Sequence, residues 1–451
     1  MQWYQAAGWI IEAFVVVPGI AFAIISICEK ENRAAFVSFI LTIVAGCVWA
    51  GVVMFSGELL PYFIWGAAAI GAVSFIAVML PVGKSRPLSA GGRQERVDER
   101  DVIFSRANMK PEHHDKYYER CPELKALDDE LRSLPELGAP GGRYYDRANA
   151  EIMNSMFAWI EDIGHLTEGE VSGDKVEISP GDAALRLKGF AKALGAELVG
   201  VTRLNQAYVY SHVGRGLGEF GSQIKLEHEY AIAFAVEMRR EYVKQAPTIA
   251  TILETCKGYV ECATIGELLA RYIRSLGYPA TAHIDANYRV MCVPIAADAG
   301  LGELSRMGYL ITDKLGPRVR LGVVTTDMEM KTDEPINLGV QDFCVKCKKC
   351  AYNCPSGAIP LEDDLKDVKG AKKWELDREA CYKFWLQSGT DCGICMSVCT
   401  FSKPANPMHN FIRFLIKRNS LARRIAVIGD DLLYGKRPRS AKMPDWMKAG
   451  M

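Results

Sequence analysis

The sequence lacks any excess of charge: 54 Lys and Arg balance 54 Asp and Glu. Without a basic field to neutralise phosphates, a nucleic-acid partner is not expected. Histidine is scarce, and His113, His114, His165, His212, His228, His283 and His409 show no metal-ligand spacing. They read as surface or packing residues. No twin-Arg pair precedes the first apolar run, so a cleaved export signal of that kind is not expected. No G-x-G-x-x-G follows a clear strand either. The stretch from Ala299 to Gly308 is rich in glycine but has the wrong spacing for a dinucleotide-binding turn.

Cysteine, by contrast, is plentiful and concentrated. Of 14 cysteines, eight fall between Cys344 and Cys399. The first set runs Cys344-x2-Cys347-x2-Cys350-x3-Cys354-Pro355, and the second runs Cys381-x10-Cys392-x2-Cys395-x3-Cys399. Thiolates two residues apart reach neighbouring corners of a cuboidal cluster, while the x3 step carries the fourth thiolate to a second cluster. The spacing therefore assigns Cys344, Cys347, Cys350 and Cys399 to one [4Fe–4S] cluster. Cys354, Cys381, Cys392 and Cys395 take the other. A zinc ribbon has no need of the interleaved run, and disulfides need an oxidising compartment. Two departures from the usual pattern are the ten-residue gap and Thr400 where a proline is expected. Cys28, Cys47, Cys121, Cys256, Cys262 and Cys292 read as ordinary reduced residues.

Apolar runs at about 8–28, 34–55 and 61–82 each reach the ~20 residues that cross a bilayer as a helix. They are apolar all round, which excludes a soluble amphipathic hairpin. Trp3, Tyr4, Trp49, Tyr62 and Trp65 sit near their ends, where amphipathic rings favour the interface. Glu12 is the one charge inside a span and is expected to lie shallow. Lys30 and Arg33 occupy the first loop, and Lys84, Arg86, Arg93 and Arg96 follow the third span. Three crossings put both basic segments on one side, which the positive-inside rule makes cytoplasmic. The chain is thus expected to be a multi-pass inner-membrane protein whose bulk faces the cytoplasm.

Five segments are expected: an anchor at 1–83, a linker at 84–96, a mixed α/β domain at 97–340, a ferredoxin-like domain at 341–403 and a closing segment at 404–451. In the third, Ser179-Pro180 starts a helix with apolar positions Ala183, Leu187, Phe190 and Leu194. Strands are expected at 196–202, 230–236 and 319–325, the middle one central because it is apolar throughout. A long helix is expected from about Thr248 to Ser275, with Gly277 as its cap. In the closing segment, Phe411–Ile416 followed by Lys417, Arg418, Arg423 and Arg424 is amphipathic and basic. Such a helix can touch a membrane surface, but packing across the ferredoxin-like domain is the preferred expectation.

Several stretches together carry a family resemblance: Glu99–Arg106, Leu194–Gly200, Arg271–Tyr278, Ala299–Glu303, Gly308–Thr312, Gly316–Arg320 and the double cysteine motif. With these, roughly residues 97–451 resemble the catalytic subunit of reductive dehalogenases. The resemblance implies an α/β (α+β) nitroreductase-like domain holding a base-off corrinoid, joined to the two-cluster domain and here preceded by three transmembrane helices. It implies replacement of carbon–halogen by carbon–hydrogen through a Co(I) corrinoid fed by the clusters. Tyr259 stands where the family has its proton donor. Arg320, with Arg318 second, stands where a cation would stabilise the phenolate, and Asn287 where substrate or tyrosine is oriented. Gly300 and Gly302 would let backbone approach the corrinoid, and Arg306 would either be structural or meet a propionamide or phosphate. No D-x-H-x-x-G stretch supplies a lower-ligand histidine.

The expected partners are an organohalide, the bilayer and an electron donor, whether quinol, ferredoxin or flavodoxin; homodimerisation stays open. Two alternatives remain. An epoxyqueuosine-reductase-like enzyme would use an acid such as Asp285, and a non-catalytic iron–sulfur electron-transfer subunit would leave the middle domain without a task.

Overall fold

The computed structural model describes residues 3–83, 85, 95–285, 287–438 and 440–448. It divides into two compact units, Met1–Ser85 with Ala405–Pro438, and Arg86–Pro404 with Arg439–Met451. Most of the expected linker, including Lys84, Arg86 and Arg93, lies outside the described residues.

In the first unit, helices Trp3–Cys28, Asn32–Phe55 and Leu60–Met79 form where the apolar runs predict them. Their outward side chains are exposed, Phe14 by 78% and Phe55 by 87%. The first two helices meet through small residues. A Cβ on Gly8 would come within 2.9 Å of Val53, and one on Gly46 within 3.2 Å of Val16. Trp49 Nε1 donates to the Gly8 carbonyl at 2.8 Å, and Ser38 Oγ to that of Gly19 at 3.1 Å. Close backbone approach of this kind is how helices associate where the solvent is as apolar as the side chains. Glu12 turns toward the second helix, its Oε1 3.8 Å from the place of a Gly46 Cβ.

Residues 405–438 differ from expectation. They belong with the anchor, as a hairpin of helices Pro407–Arg418 and Ser420–Tyr434. The preferred packing across the ferredoxin-like domain is corrected by the hydrogen bonds of Asn419 to the Ala77 and Leu80 carbonyls, at 2.7 and 2.6 Å. A helix end leaves its last carbonyls without intrahelical partners, and the Asn419 amide supplies them. The closing segment is therefore not one piece. Residues 440–448 lie in the second unit, where Ala441 N donates to the Lys244 carbonyl at 2.9 Å and Trp446 Nε1 to Tyr242 Oη at 3.2 Å.

The second unit is built on an antiparallel sheet. Leu198–Arg203 pairs with Tyr230–Glu237, which pairs with Val319–Thr326, which pairs with Ala280–His283. The strand at 230–237 is internal, as its unbroken apolar run predicts. Its alternation sorts the two faces. Ile232, Phe234 and Val236 join the core formed with helices Pro180–Ala193 and Ile249–Ser275. Ala231, Ala233 and Ala235 face the core that includes Ile295 and Ala296 of helix Cys292–Asp298. Large residues on one face and alanines on the other let a short helix approach closely. Phe234 is fully buried, and a Cβ on Gly322 would lie 2.3 Å from its ring. Burying such a ring contributes roughly 1.5–3 kcal/mol.

Ser179 caps helix Pro180–Ala193 by accepting from the Asp182 amide, and Gly277 follows helix Ile249–Ser275 at φ 86°. Both ends stand where the sequence signals put them.

Candidate active site

Helix Ile249–Ser275 and strand Val319–Thr326 bring the first pair of site residues together. Tyr259 faces the strand because Gly258 permits close contact: a Cβ there would sit 2.9 Å from Arg320 Cβ. The Arg320 guanidinium lies 4.5 Å from the centre of the Tyr259 ring, and its Nη1 donates to Tyr259 Oη at 3.4 Å. Burial pushes the phenol up to about 12, while Arg320 pulls against that rise. Burial also works against the Arg320 cation, yet Tyr259 and Asp391 more than offset it and its pKa is raised.

Both residues line a cavity of about 1220 Å³. That exceeds the roughly 300–1,000 Å³ of ordinary small-molecule pockets. Three polar atoms at its wall, Ser105 Oγ, Arg320 Nε and Asp391 Oδ1, are buried without a protein partner. Unpartnered buried groups are costly, so the wall is suited to a ligand with polar edges.

Thr255 and Asp391 were not singled out from the sequence. Arg320 Nη2 donates to Thr255 Oγ1 at 2.9 Å, and Thr255 in turn hydrogen-bonds the Asp391 carboxylate. Thr255 sits one helical turn before Tyr259, a spacing that could have flagged it. Nothing local marks Asp391. Burial raises its pKa, opposed by Thr255 and Arg320.

Asn287 also lines the cavity, but its amide is engaged: Nδ2 donates to Thr167 Oγ1 at 2.7 Å, and Oδ1 accepts from Leu217 N at 3.4 Å. Arg215, Asp285 and Tyr288 share the wall, with Arg215 Nη1 3.9 Å from Asp285 Oδ1.

Four expectations are corrected. Arg318 is buried away from the cavity, donating to Glu237 Oε1 at 2.7 Å, to Met238 O at 2.8 Å and to Ser402 O at 3.0 Å. Its position two residues before Arg320 leaves it tying backbone segments together. Gly300 and Gly302 make room for protein backbone: a Cβ would come within 2.6 Å of Glu334 O and 2.3 Å of Ile311 O, respectively. The glycines at the cavity are instead Gly164 and the run Gly214, Gly216 and Gly218. The G-x-G-x-G spacing of that run was a readable signal. Arg306 points at the cysteine region. It donates to Cys344 O at 3.3 Å and Pro360 O at 2.8 Å, pairs with Asp363, and stacks 4.7 Å from the Trp374 ring.

Cys344, Cys347, Cys350 and Cys399 line one small cavity together with Arg306. The electrostatic neighbours of Cys395 are Cys392, Cys350, Cys381 and Cys354, and those of Cys399 are Cys347, Cys350 and Cys344. The second set adjoins the large cavity, whose wall includes Tyr382, Trp385, Asp391 and Met396. These residues immediately flank or lie close in sequence to Cys381, Cys392 and Cys395.

The 4Fe-4S dicluster domain family matches residues 343–403. Over 364 residues the chain is 32% identical to the tetrachloroethene reductive dehalogenase of Sulfurospirillum multivorans, covering 70% of this chain and 71% of that protein. It is 32% identical over 279 residues to the tetrachloroethene reductive dehalogenase of Desulfitobacterium hafniense, or 51% of this chain and 50% of that one. Among solved structures it is similar to the catabolic reductive dehalogenase NpRdhA in complex with 3-bromo-4-hydroxybenzoic acid. That match has a TM-score of 0.64 at 25% identity and covers 78% of this chain and 48% of that chain. The chain thus spans about half the length of several of the curated relatives it matches. With a two-cluster cysteine domain beside a large cavity, and a relative matched over most of its length, the chain belongs to the reductive dehalogenase family, whose cofactors are iron–sulfur clusters and a corrinoid.

Proposed function

We propose that the chain is a membrane-anchored reductive dehalogenase that replaces a carbon–halogen bond by carbon–hydrogen, taking up two electrons and one proton and releasing halide. The observation that carries this reading is the Tyr259–Arg320 pair inside a cavity that adjoins the second cysteine set. The residues fit a corrinoid on two counts, the size of the cavity and the unpartnered Arg320 Nε and Asp391 Oδ1 in its wall. Gly214, Gly216 and Gly218 would hold its edge through backbone. The middle domain would then be nitroreductase-like, as the family resemblance implies. When bound, the corrinoid would supply, as Co(I), the nucleophilic electron pair that the reduction needs.

The chain's own residues do the rest. Tyr259 Oη holds the proton delivered to carbon; a phenol raised to about 12 stays protonated through the neutral range. Arg320, stacked on the ring and reaching the hydroxyl, stabilises the phenolate left behind. Thr255 and Asp391 hold Arg320 in that place. Asn287 fixes the loops at 167 and 217 that shape the wall. Electrons would enter at the Cys344/Cys347/Cys350/Cys399 cluster and leave through the Cys354/Cys381/Cys392/Cys395 cluster toward the cavity. The catalytic unit would face the cytoplasm, a reading supported by Lys30, Arg33 and the basic residues after the third span.

The test is anaerobic purification with supplied corrinoid, metal counting, and halide release from brominated phenols and chlorinated ethenes under a low-potential donor. About eight iron and one cobalt per chain with halide release supports the reading. Eight iron and no cobalt would return the chain to an electron-transfer role. Asp285 also lines the cavity, which keeps the epoxyqueuosine-reductase-like alternative open. Activity that survives Tyr259→Phe but not Asp285→Asn would favour it.

A further inference from the structure

The helical hairpin after the cysteine domain carries an apolar stripe that its own unit does not cover. On Ser420–Tyr434, Leu421, Ile425, Ile428 and Leu432 recur at a spacing that shares one helix face. All are exposed, Ile428 by 67%. The opposite face is buried through Ala422, Arg423, Asp430 and Tyr434. On Pro407–Arg418, Phe411 and Phe414 are also exposed, with parallel rings 6.4 Å apart and the Arg418 guanidinium 4.4 Å from the Phe414 ring. The exposed charges of the hairpin, Arg418, Arg424, Lys436 and Arg437, are all basic.

The hairpin is held at the level where the apolar helices end. Asn419 Nδ2 satisfies the Ala77 and Leu80 carbonyls, and Ser420 N donates to Val82 O at 2.8 Å. Arg423 Nη1 donates to Gly83 O at 3.0 Å. The loop between the first two helices contributes as well: Asn406 Nδ2 donates to Glu29 Oε1 at 2.5 Å, and Arg33 Nη2 to Leu432 O at 3.4 Å. An apolar stripe with a basic fringe is thus tied to the ends of helices long and apolar enough to cross a bilayer.

We propose that residues 405–438 form an interfacial membrane element. The Leu421–Leu432 stripe and the Phe411/Phe414 pair enter the outer acyl region of the leaflet, and the basic residues engage anionic headgroups. This rests on the membrane-anchored reading. It assigns the bilayer surface to a segment beyond the three spans, making the anchor a five-helix device. Basic amphipathic helices bind in this way, with the apolar face buried ~5–10 Å into the headgroup–acyl boundary.

The experiment uses the full chain in nanodiscs containing anionic lipid. A fluorescent non-canonical amino acid replaces Ile428, Phe14 or Leu185 in separate preparations, with cluster absorbance as the folding control. Lipids spin-labelled near the glycerol or near the chain end serve as quenchers. The proposal expects Ile428 to be quenched severalfold more than Leu185, and more by the shallow label than by the deep one. It also expects Arg418→Glu with Arg424→Glu to weaken that quenching. Quenching at Ile428 no greater than at Leu185 would overturn it. So would a blue-shifted but unquenched signal, which would mean that protein covers the stripe. Phe14 separates the two readings. Deep-label quenching there with a silent Ile428 sinks only this proposal, and a silent Phe14 sinks the anchor as well.

Discussion

The guanidinium of Arg320 meets Tyr259 in two ways, 4.5 Å from the ring centre and 3.4 Å from the hydroxyl. A cation over the face and beside the oxygen favours the phenolate more than the phenol. Arg320→Gln should therefore slow dehalogenation by about 10²–10³, with both clusters and corrinoid retained. Burial already raises Tyr259 to about 12, and loss of the cation raises it further. The wild-type rate should thus show no loss from phenol ionisation between about pH 6 and 9. A basic limb in that range that tracks Tyr259 would refute the assignment.

Thr255 reaches the phenol through Arg320. Thr255→Val should lower turnover about tenfold, the scale of one lost hydrogen bond to a charged group. Thr255→Ser should restore it. Equal loss in both variants would point to packing alone.

Gly258 sets the distance between helix and strand. Gly258→Ala places a carbon 2.9 Å from Arg320 Cβ, which should cost about 1–3 kcal/mol of stability by overpacking. Dehalogenation should fall as Arg320 is displaced. Thermal unfolding of the reconstituted protein and the turnover number are the two readouts.

Glu267 is buried with Oε1 unpartnered, and burial raises it to about 7 against the pull of Arg274 and Arg271. Its folded pKa lies above the unfolded value of about 4.3. The stability it contributes is therefore full below that value and is lost as pH rises through 7. Between about pH 4.5 and 7.5 the wild type should lose stability relative to Glu267→Gln, measured as the difference in Tm. Parallel curves would show that Glu267 does not carry this linkage.

Cys399→Ala should remove the cluster it shares with Cys344, Cys347 and Cys350, lowering iron from about eight to about four per chain. Cys395→Ala should remove the other. Spectra in which each variant loses the opposite cluster would reverse the pairing.

Much of the molecule was open to local reading. The cysteine spacing, the apolar runs and the Ser179 and Gly277 helix signals act over one or two turns of chain, so their consequences do not depend on distant residues. Tyr259 and Arg320 could be named, but only because surrounding stretches resemble a family. Neither residue type nor spacing brings them together. What tertiary structure decided is which neighbour each polar group finds. Arg318 lies just before the strand that carries Arg320, and one reaches Ser402 while the other reaches the cavity. Gly300 and Gly302 meet backbone, Arg306 meets the Cys344 carbonyl, and Asp391 meets Thr255 from 136 residues away. The hairpin at 405–438 belongs with the anchor because Asn419 finds the open carbonyls of a helix that ends more than 300 residues earlier. Sequence determined the elements and the two cysteine motifs because those are short-range chemistry. The site was decided by long-range packing, which brings three distant segments to one cavity wall.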